Sequence, residues 1–511
     1  MPIALTSEII KVNTPGFKYK MGTSGCREKY KDFKIDFCGI LIQAIADYLN
    51  NHLNDKKFQG KEYIIIGGDP RLDNPKRIIL AAEILAANNF KIKVVKNDGL
   101  ASTPAMSHII RKENALGGLI FTASHNPGGE EGDAGLKFNL WHGGAAPLEI
   151  TNEIVTIANN LIDYKRLPYS FLEKEGFLVE IDAFKSYADM IGNIFNLRTI
   201  KESGLKLIFD AMHGTMGPFI EEIFKNRMKM DVMILNKEPM PDFAGRHPEP
   251  VEENIPELMD LMKSGECDLG AAYDSDGDRN KHIGKDGFIV TASDLVAIIA
   301  ENMDEVKGLG RSMPTSKALD EVAKAKEVKL YETPTGWKYF VDLFEDKKIN
   351  LAGEESDGIS SDHIREKDGL WATLALAQIM VETGKSLKEL NEKLWKKYGR
   401  FYYKRVNYKN ISIDDMNKMI GKINGIIQAP PEFIGNEKLI KTYEYEYKYK
   451  DELVKDGWIF ETENGRMIFR FSGTDTTATL RQYVEKKLKD FTLDEEMVLG
   501  DFIKAGKDLV F

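Results

Sequence analysis

A chain of 511 residues exceeds what one hydrophobic core ordinarily organises, so roughly three or four domains are expected. Its 42% hydrophobic and 29% charged residues exclude a disordered or low-complexity chain. The formal net charge of −10 argues against a nucleic-acid or anionic-membrane surface, while leaving room for a local basic pocket.

The opening Met-Pro-Ile-Ala-Leu-Thr-Ser-Glu lacks the basic region and apolar core of a signal peptide. Cys26, Cys38 and Cys267 are scattered, giving neither a zinc motif nor a disulfide framework, and Cys26 reads as a buried thiol rather than a catalytic one. The most apolar later stretch, residues 370–381, is too short and mixed to span a bilayer. These features predict a cytoplasmic protein with no nucleic-acid and no membrane partner.

Early in the chain, Gly22-Thr-Ser-Gly-Cys-Arg27 sets small residues and hydroxyls before a guanidinium, a turn able to bind an anion. A repeating grammar of helix, short strand and polar turn follows. Residues 79–89 predict a helix, 91–95 a strand and 99–104 a turn; 221–229 predict a helix and 232–235 a strand; 317–325, 328–331 and 332–336 repeat the order. This alternation predicts α/β layers in three related mixed α/β-sheet domains. Breaks near residues 197, 307–310 and 398–401 divide the chain into 1–197, 198–309, 310–398 and 399–511. The last segment, with Tyr/Lys-rich strands at 443–449, 458–462 and 467–471 and an amphipathic terminal helix, reads as a smaller α+β domain.

Residues 121–129 read Phe-Thr-Ala-Ser-His-Asn-Pro-Gly-Gly. Asn-Pro forces a turn or extended geometry and the glycines admit unusual backbone angles, so Ser124 is expected on a bend, accessible to chemistry. Further on, Tyr273-Asp-Ser-Asp-Gly-Asp-Arg-Asn280 alternates three carboxylates that a curled loop can aim at one centre, and oxygen donors of this kind select Mg²⁺ or Ca²⁺. An EF-hand fails on position, because Arg279 stands sixth where its glycine belongs and Lys285 twelfth where its glutamate belongs. Gly384-Lys385-Ser386 resembles the end of a Walker loop, but Ile379 replaces its first glycine. Gly353-Glu-Glu-Ser-Asp-Gly358 carries Glu354 and Ser356, able to hydrogen-bond vicinal sugar hydroxyls. Arg470-Phe-Ser-Gly-Thr474 is a second anion-ready turn.

Together the segments TASHNPGG, GDAGLKFN, GAAYDSDGDRN, RSMPTSKALD, YETPTGWK, GEES and SDHIREKDGLWA closely resemble the phosphoglucomutase branch of the α-D-phosphohexomutase family, almost end to end. The resemblance implies four domains around a central cleft, the fourth capping its opening. It implies that Ser124 carries a phosphoryl group, whose oxygen completes a site for one Mg²⁺ per chain with Asp274, Asp276 and Asp278. It places the sugar on Glu354 and Ser356 with contacts at Thr335 and Gly336. Phosphate contacts fall on Arg27, Arg279, Arg470, Ser472, Gly473, Thr474 and Arg481. Lys137 and Lys367 are assigned acid/base or charge-neutralising work, and His125 an assisting role beside the phosphoserine.

The implied reaction interconverts glucose 1-phosphate and glucose 6-phosphate, with glucose 1,6-bisphosphate as intermediate and activator. Small-molecule sugar phosphates are the implied partners, and the implied assembly is a monomer or weak homodimer. Two departures stand out. Asp475 brings a negative charge into the Ser472–Thr477 loop, which appears one residue short, and Asp357 stands where an aromatic residue is common. The rival readings are a broader, phosphomannomutase-like hexose-phosphate mutase and a catalytically weak relative used for binding or scaffolding. Intact Ser124, Asp274, Asp276 and Asp278 argue against the second.

Overall fold

The computed structural model describes residues 7–12, 17–22, 24–174, 177–450, 452–473 and 477–511. The chain forms two compact units, one of residues 1–290, 340–346 and 356–387, the other of 291–339, 347–355 and 388–511.

In the first unit, four parallel strands (Tyr63–Gly68, Lys91–Val95, Gly117–Phe121 and Leu178–Ile181) form the middle and one edge of a six-stranded sheet. Strands Asp133–Leu140 and Cys26–Lys29 extend it antiparallel, placing Lys137 beside Ile120 and Arg27 beside Gly135. The two central strands, Tyr63–Gly68 and Gly117–Phe121, are almost wholly apolar because helices such as Ile35–His52, Asn74–Ala87 and Thr103–Lys112 cover the sheet. A five-stranded sheet follows in the order Met233–Leu235, Leu207–Asp210, Leu269–Tyr273, Asn280–Gly284, Phe288–Ile289. Its Leu269–Tyr273 and Asn280–Gly284 strands are antiparallel, and their hairpin carries the aspartate loop, closed where Tyr273 faces Asn280.

The second unit holds the parallel strands Lys329–Thr333, Gly308–Ser312 and Leu351–Glu354 with helices Ala292–Asn302 and Ala318–Ala325. It also holds an antiparallel sheet in the order Arg400–Ser412, Thr477–Leu488, Gly465–Gly473, Glu452–Thr462, Glu437–Tyr449, Phe433–Ile434. Helices Ile413–Gln428 and Glu495–Val510 pack on this sheet. The α/β layers and the separate C-terminal sheet expected from the sequence are thus present.

The expected strand at 91–95 is found with those bounds, but two other expectations are corrected. Thr103 and Pro104 belong to a helix rather than a turn: Ser102 accepts the Ala105 N–H as an N-cap, and proline at the first helical turn costs no hydrogen bond. The expected helix at 221–229 is a π-helical turn, Glu221–Arg227, continuing Met216–Ile220. Among the described residues, no helix is long and apolar enough to cross a membrane.

A buried acid in the second unit gives a pH signature. Asp294 lies on helix Ala292–Asn302, and burial raises its carboxyl from 3.8 to about 6 although Asn391 and Trp395 donate to it at 3.4 and 3.1 Å. The folded chain keeps this proton where the unfolded chain has lost it. The stabilisation is therefore full below 3.8 and is lost as pH rises through about 6. Asp294→Asn is expected to stabilise the protein relative to the parent by an increment that grows by about 3 kcal/mol between acidic and neutral pH. Denaturant unfolding near pH 4 and near pH 8 measures it; an increment identical at both would refute the assignment.

Candidate active site

Asp274, Asp276 and Asp278 are fully buried in the hairpin loop, and one ligand oxygen from each lies within 4.8 Å of the others. Gly277, at φ +71°, makes the curl that aims them together. Three carboxylates this close do not all ionise comfortably without a cation. Burial, then Asp276 and Asp278, pushes Asp274 well above the usual carboxylate range. Burial acts on Asp278 in the same direction, but Lys367, Lys137 and Arg279 outweigh it and hold that group below the usual range. Thr103 Oγ1 donates to Asp276 Oδ2 at 2.6 Å. Among the described residues, Asp276 Oδ1 and Asp278 Oδ1 are buried without a hydrogen-bond partner, as oxygens reserved for a metal would be. The donor set fits a hard divalent cation.

Ser124 follows the strand Gly117–Phe121 at its C-terminal end, in a left-handed conformation at φ +52°. Its Oγ lies 3.1 Å from Asp274 Oδ2, so serine and carboxylate loop meet directly. One expectation needs correction: the hydroxyl is not exposed on its bend, since Ser124 is only 2% accessible. The Oγ lies against Asp274 and His125, and the backbone of its loop is held by Arg71, which is equally buried. Its guanidinium donates to the backbone carbonyls of Ser124, Asn126 (2.6 Å), Pro127 (2.8 Å) and Asp133 (3.0 Å), and pairs with Asp69 at 3.0 Å. Asp69 also accepts Thr122 Oγ1 at 2.7 Å and Ser275 Oγ at 3.0 Å, while Ser275 Oγ lies 2.7 Å from the Ser124 carbonyl. An ion pair and a hydroxyl thus clasp the serine loop to the aspartate loop.

Cations surround this centre. Arg27 feels Arg279, Asp276 and Asp278; burial, then Arg279, lowers its pKa, and its Nε is buried without a hydrogen-bond partner among the described residues. The Arg279 backbone N–H donates to Asp274 Oδ1 at 3.1 Å, and its Nη1 lies 2.9 Å from His125 Nδ1. Burial, then Arg279 and Arg27, drives the His125 pKa far below its ordinary value, so the ring is neutral and Nδ1 accepts from Arg279. His125 is thus a hydrogen-bond acceptor for Arg279, with its Nδ1 3.4 Å from Ser124 Oγ. Lys367 Nζ lies 3.0 Å from Asp278 Oδ2, and Lys137 Nζ lies 3.4 Å from buried Glu366. Cys26 is buried and its thiol is pushed up to about 12, as expected of a thiol without catalytic work.

The segment bearing Glu366 and Lys367 is held by a relay that local spacing does not announce. His363 lies between Ser361 Oγ (2.8 Å) and Asp368 Oδ2 (2.9 Å), and Tyr187 donates to Asp368 Oδ1 at 2.6 Å. Asp368 also caps helix Gly369–Thr383. Asp357, the departure noted in the Gly353–Gly358 segment, adopts φ +64° and pairs with Lys281 at 2.8 Å, which anchors it to the strand Asn280–Gly284. Half-buried Ser356 adjoins it in the first unit.

In the second unit, the Gly336 N–H donates to Glu354 Oε1 at 3.0 Å, and the Thr335 N–H donates to Asp456 Oδ2 at 2.6 Å. Arg470 and Arg481 face each other across neighbouring strands, next to the Ser472–Thr479 and Gly473–Ala478 pairs. Thr474 and Asp475 lie outside the described residues. The structure therefore brings Ser124, His125, Arg27, Lys137, Arg279, Lys367 and the three aspartates together in one unit. In the other it links Thr335, Gly336, Glu354 and Arg470. Sequence reasoning missed Asp69, Arg71, Ser275, Glu366 and Asp456. A charged Asp-Pro-Arg immediately after the apolar strand Tyr63–Gly68 was the available signal for the first two, because functional groups gather at the C-terminal ends of parallel strands.

Comparison with known proteins places this geometry. The chain matches the phosphoglucomutase/phosphomannomutase alpha/beta/alpha domain I over residues 18–165, domain II over 185–287 and domain III over 291–398. Residues 400–510 match the phosphoglucomutase-1 C-terminal domain. Phosphoglucomutase-1 of Homo sapiens is 39% identical, covering 98% of this chain and 96% of the relative, and phosphoglucomutase of Rhizobium radiobacter is 37% identical over 96% and 95%. The open form of the Paramecium exocytosis-sensitive phosphoprotein parafusin, a phosphoglucomutase, superposes with TM-score 0.88 at 32% identity, covering 99% and 96%. With a serine loop clasped to a three-aspartate loop, and matches of this extent, the chain belongs to the phosphoglucomutase/phosphomannomutase family.

Proposed function

We infer that this chain is a mutase enzyme, a phosphoglucomutase that interconverts glucose 1-phosphate and glucose 6-phosphate through phosphoserine at Ser124 and a glucose 1,6-bisphosphate intermediate. The observation that carries the reading is Ser124 Oγ at 3.1 Å from Asp274, inside a ring of Arg27, Arg279, Lys137 and Lys367. In the first half-reaction the phosphoryl–Oγ bond breaks as a bond to the sugar O6 forms. In the second, the bisphosphate turns around, the bond between phosphorus and O1 breaks as a bond to Ser124 Oγ forms, and the proton that O6 gave up in the first half is made good at O1. Asp274, Asp276 and Asp278 would hold one Mg²⁺, which supplies charge neutralisation to the phosphoryl oxygens when bound.

The chain's own residues account for the remaining charge. Three carboxylates, a phosphoserine and a substrate phosphate carry about −7 against +2 from the metal, an excess of about −5. Arg27, Arg279, Lys137 and Lys367 meet that excess near Ser124, with Arg470 and Arg481 assigned to the substrate's distal phosphate. Lys137 and Lys367 also stand as the proton-handling groups. His125, neutral and accepting from Arg279, orients that guanidinium. Glu354 and Ser356 select the sugar hydroxyls, with Thr335 and Gly336 contributing backbone contacts. Ser472, Gly473 and Thr474 complete the phosphate turn.

A coupled assay with Mg²⁺ and catalytic glucose 1,6-bisphosphate tests the reading. Turnover of glucose 1-phosphate is expected at least about tenfold more efficient than that of mannose 1-phosphate, a difference of about 1.4 kcal/mol in transition-state binding. No turnover above a Ser124→Ala control would overturn the enzyme assignment, and equal efficiency on both sugars would favour the broader hexose-phosphate mutase.

A further inference from the structure

In the second unit, an acidic side chain already occupies two groups that the proposed function gives to the substrate. Asp456, on the strand Glu452–Thr462, accepts the Thr335 N–H through Oδ2 at 2.6 Å. Its Oδ1 takes both Arg470 Nε and Arg470 Nη2 at 2.7 Å. Both side chains are only 12% exposed, so solvent screens the pair weakly. Across the sheet, Arg470 faces Arg481, a like-charge pair whose repulsion an anion relieves. Asp456 supplies that anion in the protein itself.

The arrangement is built into the backbone. Gly457 stands at φ +99°, and a Cβ there would meet Arg470 Cγ at 2.7 Å. The absence of a side chain lets the arginine stem lie flat against the neighbouring strand, with its guanidinium delivered to the preceding carboxylate. Strand pairing and this groove fix the Arg470 stem whether or not residue 456 is charged. Removing the carboxylate charge therefore strips Arg470 of its counter-ion more than of its position.

We propose that Asp456 sets the affinity of the Arg470 phosphate site, serving as an internal counter-anion that an incoming sugar phosphate must displace or share. The proposal rests on the functional reading above, which assigns Arg470 and Thr335 to substrate. A dianionic phosphate approaching Arg470 meets a neighbouring negative charge, so binding is weaker than the two arginines alone would give. Exchange of one anion for another also lets the same guanidinium release product readily.

Asp456→Asn tests this, because asparagine keeps an acceptor for the Thr335 N–H while losing the charge. KM for glucose 1-phosphate is expected to fall about fivefold to tenfold with kcat changed less than about twofold. Calorimetric titration with inorganic phosphate should show a matching gain in affinity, and that gain should vanish when Arg470 is also replaced by Gln. A KM that is unchanged or raised, no gain for phosphate, or a gain that persists in the Arg470→Gln background would each overturn the proposal. Asp456→Ser provides the same comparison if the asparagine variant does not fold. Absence of turnover in the parent would overturn the functional reading, while the phosphate titration still decides the role of Asp456.

Discussion

Asp276→Ala is expected to yield a folded protein whose mutase turnover is lower by at least about a thousandfold, several kcal/mol of transition-state stabilisation. The side chain is buried and accepts a hydrogen bond from Thr103 at 2.6 Å, so its removal costs little packing and relieves repulsion among three carboxylates. The metal-free variant should accordingly be at least as stable as the metal-free parent. A divalent ion that binds only the folded parent stabilises it by about 2.7 kcal/mol at a hundred times its Kd, and the variant should lose that increment. Thermal unfolding with and without Mg²⁺, alongside the coupled assay, separates the two effects. Full activity with undiminished metal-dependent stabilisation would show that the metal is held elsewhere.

Arg71→Met carries the second large effect. One guanidinium serves four backbone carbonyls and Asp69, so its loss leaves a buried carboxylate and several buried acceptors without donors. Breaking a buried pair from one side typically costs about 3–5 kcal/mol, and that range is expected in denaturant unfolding. The left-handed backbone at Ser124 loses its clasp, and kcat should drop about a hundredfold or more, because misplacement of a reacting group by about 1 Å has that cost. Arg71→Lys should fare little better, since a single ammonium cannot reproduce a fork shared among four carbonyls. Adding Asp69→Asn to Arg71→Met should recover part of the stability and none of the turnover. Recovery of both would mean that the pair only balances charge.

The sequence disclosed the groups whose chemistry depends on local spacing. Ser124 on its Asn-Pro-Gly-Gly bend, three alternating aspartates and Arg27 after a small-residue turn could all be read directly. It concealed what depends on distant partners. Arg71 reaches carbonyls more than fifty positions away, Lys281 pairs with Asp357 across 76 positions, and Asp456 meets Thr335 across 121. No periodicity or motif encodes such meetings, because each is created by strand order. The burial of Ser124 is hidden for the same reason: turn residues signal a bend, while its hydroxyl lies against Asp274, 150 positions away. The π-helical turn at Glu221–Arg227 eluded the reading because its apolar spacing is that of an ordinary helix.

The path of the chain through the first unit bears on when the site can exist. Tyr187 needs Asp368, Asn139 needs Glu366, and Ser107 receives the backbone N–H of Arg365. During synthesis, Ser124 therefore leaves the ribosome well before the residues that complete its surroundings, with the whole of 291–339 made in between. Contacts so far apart in sequence form late and slowly. A nascent chain halted near residue 290 would carry Ser124 but not Lys367 or its supporting relay. The surroundings of Ser124 are thereby completed only once synthesis has passed residue 368, an order that arises from chain connectivity alone.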